Sequence, residues 1–292
     1  MKRIVVDKNM LEDDGLREWL AQSKDNVAIV TDYAKLEMLK GNALKNILKS
    51  TEILAEFPKQ VRMVKPIEVV SGLKGKKKGL KKRYTDGRNS IAFRKWCKKR
   101  EQAKRGDKEI EAQILRWGKQ AEGQLSDMLG NMQGFADNID DATDQFTAAE
   151  LAIVRKDEPY TDDIVVKILD GAMSLALKFF ALHPGIKKLP EAYELLDTFI
   201  FRFSLCAYLH ALRWRASGGA AGALHERMRQ DVIDVTYAAY GLCFDGLLTK
   251  DKMPKEIYEK ACSLLSVFKK HIPKPSRRRT EGAKATASAD PE

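Results

Sequence analysis

Two short runs of β-branched residues close to the amino terminus limit the fold of this chain more than any other feature. Residues 3–6 and 26–30 form these runs, and polar residues follow each of them directly. Residues 11–22 between the runs have apolar side chains at helical spacing, and a second helical pattern follows residue 31. Strand, helix, strand and helix at this spacing favour parallel strand pairing. The sequence therefore predicts an α/β fold with a central parallel sheet.

A further piece of the same pattern stands near the carboxyl terminus. Residues 247–249 form a short apolar run that is followed by Asp251, with helical patterns at 224–243 and 255–270 on either side. Residues 61–70 are another candidate strand, although Pro66 favours an edge position or an extended loop because it cannot donate a ladder hydrogen bond. We therefore predict a sheet that is built from both ends of the chain.

Composition divides the chain into four predicted segments. Residues 1–70 are expected to form the first half of the α/β domain, and residues 71–160 a basic, mostly helical insertion. Residues 161–270 are expected to supply apolar helices and the second half of the domain. Residues 271–292 are rich in Arg, Thr, Ala, Ser and Pro, which is typical of a disordered basic tail.

Two strongly apolar helical patterns, residues 162–182 and 190–214, are apolar on more than one side, which indicates burial. They belong either to the domain core or to a dimer or partner interface. No apolar run reaches the length of a membrane span, and the run at the amino terminus is too short for a signal peptide. The four cysteines are scattered without a Cys-x-x-Cys pair, so no zinc site or disulfide framework is predicted. We expect a cytoplasmic protein.

Five carboxylates are the candidate functional residues. Asp7 and Asp251 directly follow predicted strands, and in an open parallel sheet ligands bind beyond the carboxyl ends of the strands. Glu37 lies in the helix after the second strand. Asp231 and Asp234 are three residues apart, so they share one helix face, and the sequence does not choose between them. Hard oxygen ligands of this kind suit Mg²⁺ or Mn²⁺.

Each acid also has a simpler structural explanation, because an Asp after a strand is often a turn residue or a helix cap. Asp32 is interpreted as a cap, and Asp245 before Gly246 as a turn residue. The hypothesis of a metal site rests on the combination of acids in their order along the chain. Phosphodiester hydrolysis at such a site needs no Ser, Cys or His nucleophile, because metal ions activate water and stabilise the leaving oxygen.

Three sequence strings carry a resemblance to a known family. VVDKNML (5–11), VAIVTDYAKLEMLKG (27–41) and RQDVIDVTYAAYGLCFDGLLTKDK (229–252) resemble the PIN-like nuclease domain. The resemblance implies a three-layer fold around a parallel sheet and a metal site formed by Asp7, Glu37, Asp234 or Asp231, and Asp251. It also implies Mg²⁺- or Mn²⁺-dependent cleavage of RNA. The chain departs from the compact family pattern because residues 61–223 separate the matching halves.

A concentrated basic segment, residues 74–108, is the candidate nucleic-acid interface. It contains sixteen Lys or Arg residues against three acids, in a chain whose formal net charge is +11. A local charge of this kind indicates phosphate binding. Its aromatic residues, Tyr84, Phe93 and Trp96, can stack on bases or lie in the core, and the core interpretation is favoured for Phe93 and Trp96. The predicted contacts are Lys76, Lys77, Lys78, Lys81, Lys82, Arg83, Arg88, Arg94 and Lys95.

The functional expectation is a metal-dependent endoribonuclease that acts as a bacterial toxin or defence effector. By family analogy, an inhibitor or activator protein would control such an enzyme, and the apolar helices raise self-association as a further expectation. Two alternatives remain open: a structure-specific DNA nuclease of the same superfamily, and a non-catalytic nucleic-acid-binding regulatory module.

Overall fold

One five-stranded sheet organises the structure, a computed structural model that describes residues 1–73, 75, 79–130, 143–218 and 225–271. Its strands are β1 (Lys2–Val6), β2 (Asn26–Val30), β3 (Val61–Val64), β4 (Thr85–Asp86) and β5 (Leu247–Leu248), and their order across the sheet is β4-β3-β2-β1-β5. The pairs β3-β2, β2-β1 and β1-β5 are parallel, and β4 runs antiparallel to β3. The predicted α/β class is confirmed.

The pairing of β5 with β1 joins the two ends of the chain. Val5 is in register with Leu247, and Val6 with Leu248. The strands that precede Asp7 and Asp251 are therefore parallel neighbours, and the sheet is built from both ends of the chain, as predicted.

The helices lie around this sheet, and a 3₁₀ turn at Lys8–Met10 follows β1. Their bounds are α1 Asp14–Gln22, α2 Asp32–Leu39, α3 Ala43–Ser50, α4 Glu52–Glu56, α5 Ile67–Ser71, α6 Leu80–Tyr84, α7 Gly87–Lys104, α8 Lys108–Gly130, α9 Ala148–Lys156, α10 Asp162–Leu182, α11 Ala192–Leu195, α12 Phe199–Ala216, α13 His225–Cys243 and α14 Lys252–His271.

Three sequence predictions of local structure were wrong in extent. The helix predicted at 190–214 is divided into the short helix α11 and the long helix α12, which begins at Phe199 after its N-cap residue Thr198. The predicted strand at 61–70 ends at Val64 and gives way to α5, for which Pro66 is the N-cap residue. The basic pattern of residues 91–117 predicts a single helix, whereas the structure has two, α7 and α8. Gly106 separates them with a φ of +83°, a conformation that glycine adopts without steric cost, and the Asp107 carboxylate then accepts the N–H groups of the next helix.

Residues 71–160, predicted as an insertion, contribute to the sheet and to the core. They supply β4 at the edge, while α7 packs on β3 and α8 packs on α2. Tyr84, Phe93 and Trp96 are buried in the hydrophobic core, so the core interpretation of these rings is confirmed. They are not available to stack on nucleic-acid bases.

The apolar helix α12 is buried along most of its length. It packs against α9, α10, α13 and α14. Gly171 of α10 lets the ring of Tyr208 approach so closely that a Cβ atom there would lie 2.0 Å from it. Among the described residues, no helix has the length and apolar character needed to cross a membrane.

Some sequence predictions fall on residues that the structure does not describe. Lys76, Lys77 and Lys78 of the basic segment lie outside the described residues, as do residues 272–292 of the predicted tail.

Candidate functional site

Asp7 and Asp251 are held side by side by a small network of hydrogen bonds. The Thr249 hydroxyl donates to Asp7 Oδ2 at 2.6 Å and accepts the Asp251 N–H at 3.0 Å. The Asn9 amide donates to Asp251 Oδ2 at 2.7 Å, and its oxygen accepts the Lys250 N–H at 3.2 Å. Since β1 and β5 are adjacent and parallel, both acids lie at the carboxyl-terminal edge of the sheet. This is the edge at which open parallel sheets bind ligands.

Glu37 and Asp234 come to the same edge on helices. Glu37 of α2 accepts a hydrogen bond of 2.7 Å from the Tyr237 hydroxyl, which lies one turn beyond Asp234 on α13. Asp234 Oδ1 accepts a hydrogen bond of 3.2 Å from the Gln230 amide on the same helix. One face of α13 therefore presents both an acid and the donor that orients a second acid.

The electrostatics of these groups show that the acids are close to one another. Burial, the largest cause, and the negative charges of Asp7, Asp251 and Glu37 together raise the pKa of Asp234 to about 8. Burial and the charge of Asp251 raise the pKa of Asp7, although the Thr249 hydrogen bond opposes the shift. Burial and the charge of Asp7 raise the pKa of Glu37. Like charges in a partly desolvated place disfavour full ionisation.

The structure separates the two acids of α13. The Asp231 carboxylate lies 3.2 Å from Nε2 of the buried His210 on α12. Asp234 instead interacts with the other three acids. Of the five sequence candidates, Asp7, Glu37, Asp234 and Asp251 come together, and Asp231 is directed to a different partner. We refer to these four residues as the acidic site.

The donor chemistry of the acidic site fits a hard divalent cation, because it consists of carboxylate oxygens whose mutual repulsion such an ion would relieve. Within the described residues, however, no group of three or more His, Cys, Asp or Glu side chains is arranged to hold a metal ion. Mg²⁺ commonly keeps several waters and uses only one or two protein carboxylates. The four acids are therefore the type of ligand that suits a hydrated divalent ion, but they do not form a closed cage of protein ligands.

Asp32 and Asp245 have structural roles, in agreement with their exclusion from the site. Thr31 caps α2 by accepting the Ala34 N–H, whereas Asp32 Oδ2 accepts the N–H of Ile67 at 2.8 Å and so caps the start of α5. Asp245 lies before β5, where its Oδ2 accepts the Arg3 N–H at 2.9 Å.

The basic segment lies elsewhere on the sheet. Lys81 forms an ion pair with Asp245, at the amino-terminal end of β5. Arg94 lies near Arg62 of β3. Burial lowers the pKa of Arg62, and the positive charges of Arg94 and of Arg3 of β1 lower it further. The Lys81–Asp245 pair is thus at the amino-terminal end of β5, whereas Tyr84 lies beyond the carboxyl end of β3, where its C=O accepts the Lys65 N–H at 2.9 Å. Lys82, Arg88 and Lys95 are exposed, and Arg83 is partly buried.

Sequence reasoning did not assign a role to four residues that support the site: Asn9, Gln230, Tyr237 and Thr249. Asn9 and Thr249 stand two residues from Asp7 and Asp251 respectively, within the strings that carry the resemblance. Tyr237 is three residues after Asp234, on the same helix face. Helical spacing could therefore have indicated Tyr237, but not its contact with Glu37, which is two hundred residues away along the chain.

No family model, curated protein or solved structure matches this chain.

Proposed function

We propose that this protein is a divalent-metal-dependent nuclease of the PIN-like type, in which the acidic site hydrolyses RNA phosphodiester bonds. The observation that carries the proposal is the meeting of Asp7, Glu37, Asp234 and Asp251 at the carboxyl-terminal edge of a parallel sheet. Three separate parts of the chain supply these acids. Such a concentration of partly buried carboxylates costs folding free energy, which is a reason to assign it a function.

The residues of the acidic site would have distinct roles. One or two of Asp7, Asp234 and Asp251 would bind a hydrated Mg²⁺ or Mn²⁺ directly, and the remaining acids, Glu37 among them, would accept hydrogen bonds from its waters. A bound ion supplies an activated water and neutralises the phosphate. Thr249 and Asn9 fix the orientations of Asp7 and Asp251, and Tyr237 fixes that of Glu37. Without a cation, Asp234 holds a proton at neutral pH, because its pKa is about 8.

The choice of RNA rests on the resemblance of the three sequence strings to PIN-like nucleases. The same acids would serve a structure-specific DNA nuclease, so DNA is an outcome of the test. The role as a cytoplasmic toxin or defence effector, and its control by an inhibitor or activator protein, belong to the same proposal.

The test compares the two acids of α13, which are chemically matched. Purified wild-type protein is expected to degrade labelled RNA in Mn²⁺ and to stop in EDTA. Asp234→Asn is expected to reduce the rate about a hundredfold or more, as the loss of a group that stabilises transition-state charge does, and Asp231→Asn should stay within about threefold of wild type. Rates would be measured by gel electrophoresis on RNA and on DNA of the same sequence.

Three outcomes would count against the proposal. Cleavage in EDTA would exclude a metal-dependent mechanism. Equal losses in the two variants would contradict the assignment of Asp234. Nucleic-acid binding without cleavage in Mg²⁺ or Mn²⁺ would identify a non-catalytic regulatory module instead.

A further inference from the structure

Three arginines lie close to one another on the sheet, and the one on β1, Arg3, is four residues before Asp7 of the acidic site. Val5 of β1 is in register with Ile29 of β2, and Ile29 is in register with Arg62 of β3. Arg3 is two residues before Val5, so Arg3 and Arg62 project from the same face of the sheet. Arg94 of α7, the helix that packs on β3, lies next to Arg62. We call Arg3, Arg62 and Arg94 the arginine cluster.

The arginine cluster carries positive charge that no ion pair among the described residues neutralises, although Asp245 is close enough to interact electrostatically with Arg3. Among the described hydrogen bonds and ion pairs, none joins any of the three guanidinium groups to a carboxylate. Arg62 donates to two backbone carbonyls, those of Lys59 and Val61, at 2.8 Å each. Asp245 is near, but its carboxylate accepts the Arg3 N–H and pairs with Lys81. Arg94 is exposed, and Arg3 and Arg62 are partly exposed, so an anion in solution can reach the cluster.

We propose that the arginine cluster binds the phosphate backbone of a polynucleotide at a site separate from the acidic site. Guanidinium groups pair with phosphate oxygens in a planar, two-pronged geometry, which makes arginine well suited to this task. The aromatic rings of the basic segment are buried, so the cluster has no stacking platform from that segment. Recognition would therefore depend on charge and salt and would not depend on base sequence.

The distance between the two sites sets a length requirement on the substrate, a step that rests on the proposed function. Arg3 and Asp7 stand four residues apart along β1, which corresponds to about 13 Å of strand. One strand of a duplex needs about four phosphates to cover that distance at about 3.4 Å each. A substrate that occupies both sites must be longer than this, while a di- or trinucleotide can occupy only the acidic site.

Binding is tested first, without metal, so that the result does not depend on catalysis. A fluorescent 20-nucleotide RNA and a DNA of the same sequence are titrated with wild type, Arg3→Gln/Arg94→Gln and Arg116→Gln/Lys119→Gln in EDTA. Arg116 and Lys119 are exposed residues of α8, so the second double variant loses the same net charge at another place. Fluorescence anisotropy should show at least about a tenfold weaker Kd for Arg3→Gln/Arg94→Gln, and a salt slope that is smaller by about two. The Arg116→Gln/Lys119→Gln variant should bind within about twofold of wild type.

Two results would overturn the arginine cluster as a binding site. One is an equal loss of affinity in both double variants, which would show only an effect of net charge. The other is unchanged affinity in Arg3→Gln/Arg94→Gln while its circular dichroism and melting temperature match wild type. RNA and DNA bound alike support the phosphate-backbone site, whereas binding of RNA alone would contradict recognition through phosphates only.

Cleavage then separates this inference from the proposed function. In Mn²⁺, Arg3→Gln/Arg94→Gln is expected to raise the KM of a 20-nucleotide RNA about tenfold and to leave kcat unchanged, because the cluster acts on binding alone. A trinucleotide should be cleaved at the wild-type rate. If no substrate is cleaved by wild type and the binding difference persists, the nuclease proposal fails and the binding site stands.

Discussion

Replacing Asp7 by Asn is expected to reduce Mn²⁺-dependent cleavage about a thousandfold, because a metal site contributes several kcal/mol of transition-state stabilisation. Asn keeps the shape of the side chain and an oxygen that can accept the Thr249 hydroxyl. It removes one negative charge from among Asp234, Glu37 and Asp251. The metal-free variant should therefore be at least as stable as wild type. Cleavage rates and thermal melts on the same preparations measure both effects.

The matched control for Asp7 is Asp245, which also flanks a strand of the β1-β5 pair but lies at the amino-terminal end. Asp245→Asn keeps an acceptor for the Arg3 N–H and should retain cleavage within about threefold. A similar loss in both variants, or a loss in Asp7→Asn that accompanies unfolding, would contradict a specific role for Asp7. Loss of activity together with unchanged or increased stability is the pattern expected when repulsion at a site serves its function.

The second large effect is a pH dependence of the stability of the metal-free protein, to which Asp234 contributes. The pKa of this acid is raised from its ordinary 3.8 to about 8 in the folded protein, by burial and then by Asp7, Asp251 and Glu37. Between these values the unfolded chain binds fewer protons than the folded chain at this position. Its contribution to the free energy of unfolding therefore falls as pH rises, by up to about 1.4 kcal/mol per pH unit. Below pH 4 the penalty is absent, and above pH 8 it is complete.

Chemical denaturation in EDTA at several pH values would measure this dependence. Asp234→Asn should remove the contribution of Asp234 and leave the contributions of Asp7 and Glu37, so the variant is expected to gain stability over wild type increasingly from pH 4 to pH 8. Asp231→Asn, which alters the neighbouring acid that contacts His210, should keep the wild-type slope. Parallel curves for wild type and Asp234→Asn would mean that Asp234 titrates normally. In that case the four acids would not be close enough to repel one another.

The strands and the strand-end acids could be predicted because both depend on local pattern. Residues 26–30 form a β-branched run without a residue that breaks a strand, and the structure has β2 over the same five residues. The long apolar helix expected at 162–182 also has those bounds, with Thr161 as its cap. Short helical connections between β-branched runs favour parallel pairing, and parallel pairing brings acids that follow the strands to one edge.

The remaining features depend on contacts between distant parts of the chain. The i, i+3 spacing places Asp231 and Asp234 on one face, but only the position of His210 on a different helix shows which one turns away. Charge density identified the basic segment, yet no sequence pattern shows at which end of a sheet a segment will lie. The position of the basic segment depends on the two-residue strand β4, on the ion pair between Lys81 and Asp245, and on the division of residues 87–130 into two helices.

Anomalous diffraction from crystals grown with MnCl₂ tests the central claim most directly, because it locates the ion without reference to activity. We expect one Mn²⁺ peak beside the carboxylates of Asp7, Asp234 and Asp251, and no such peak in crystals of Asp7→Asn grown in the same way. A wild-type crystal with no Mn²⁺ at these acids, or with its Mn²⁺ bound only at other residues, would contradict the assignment of the acidic site as a metal centre.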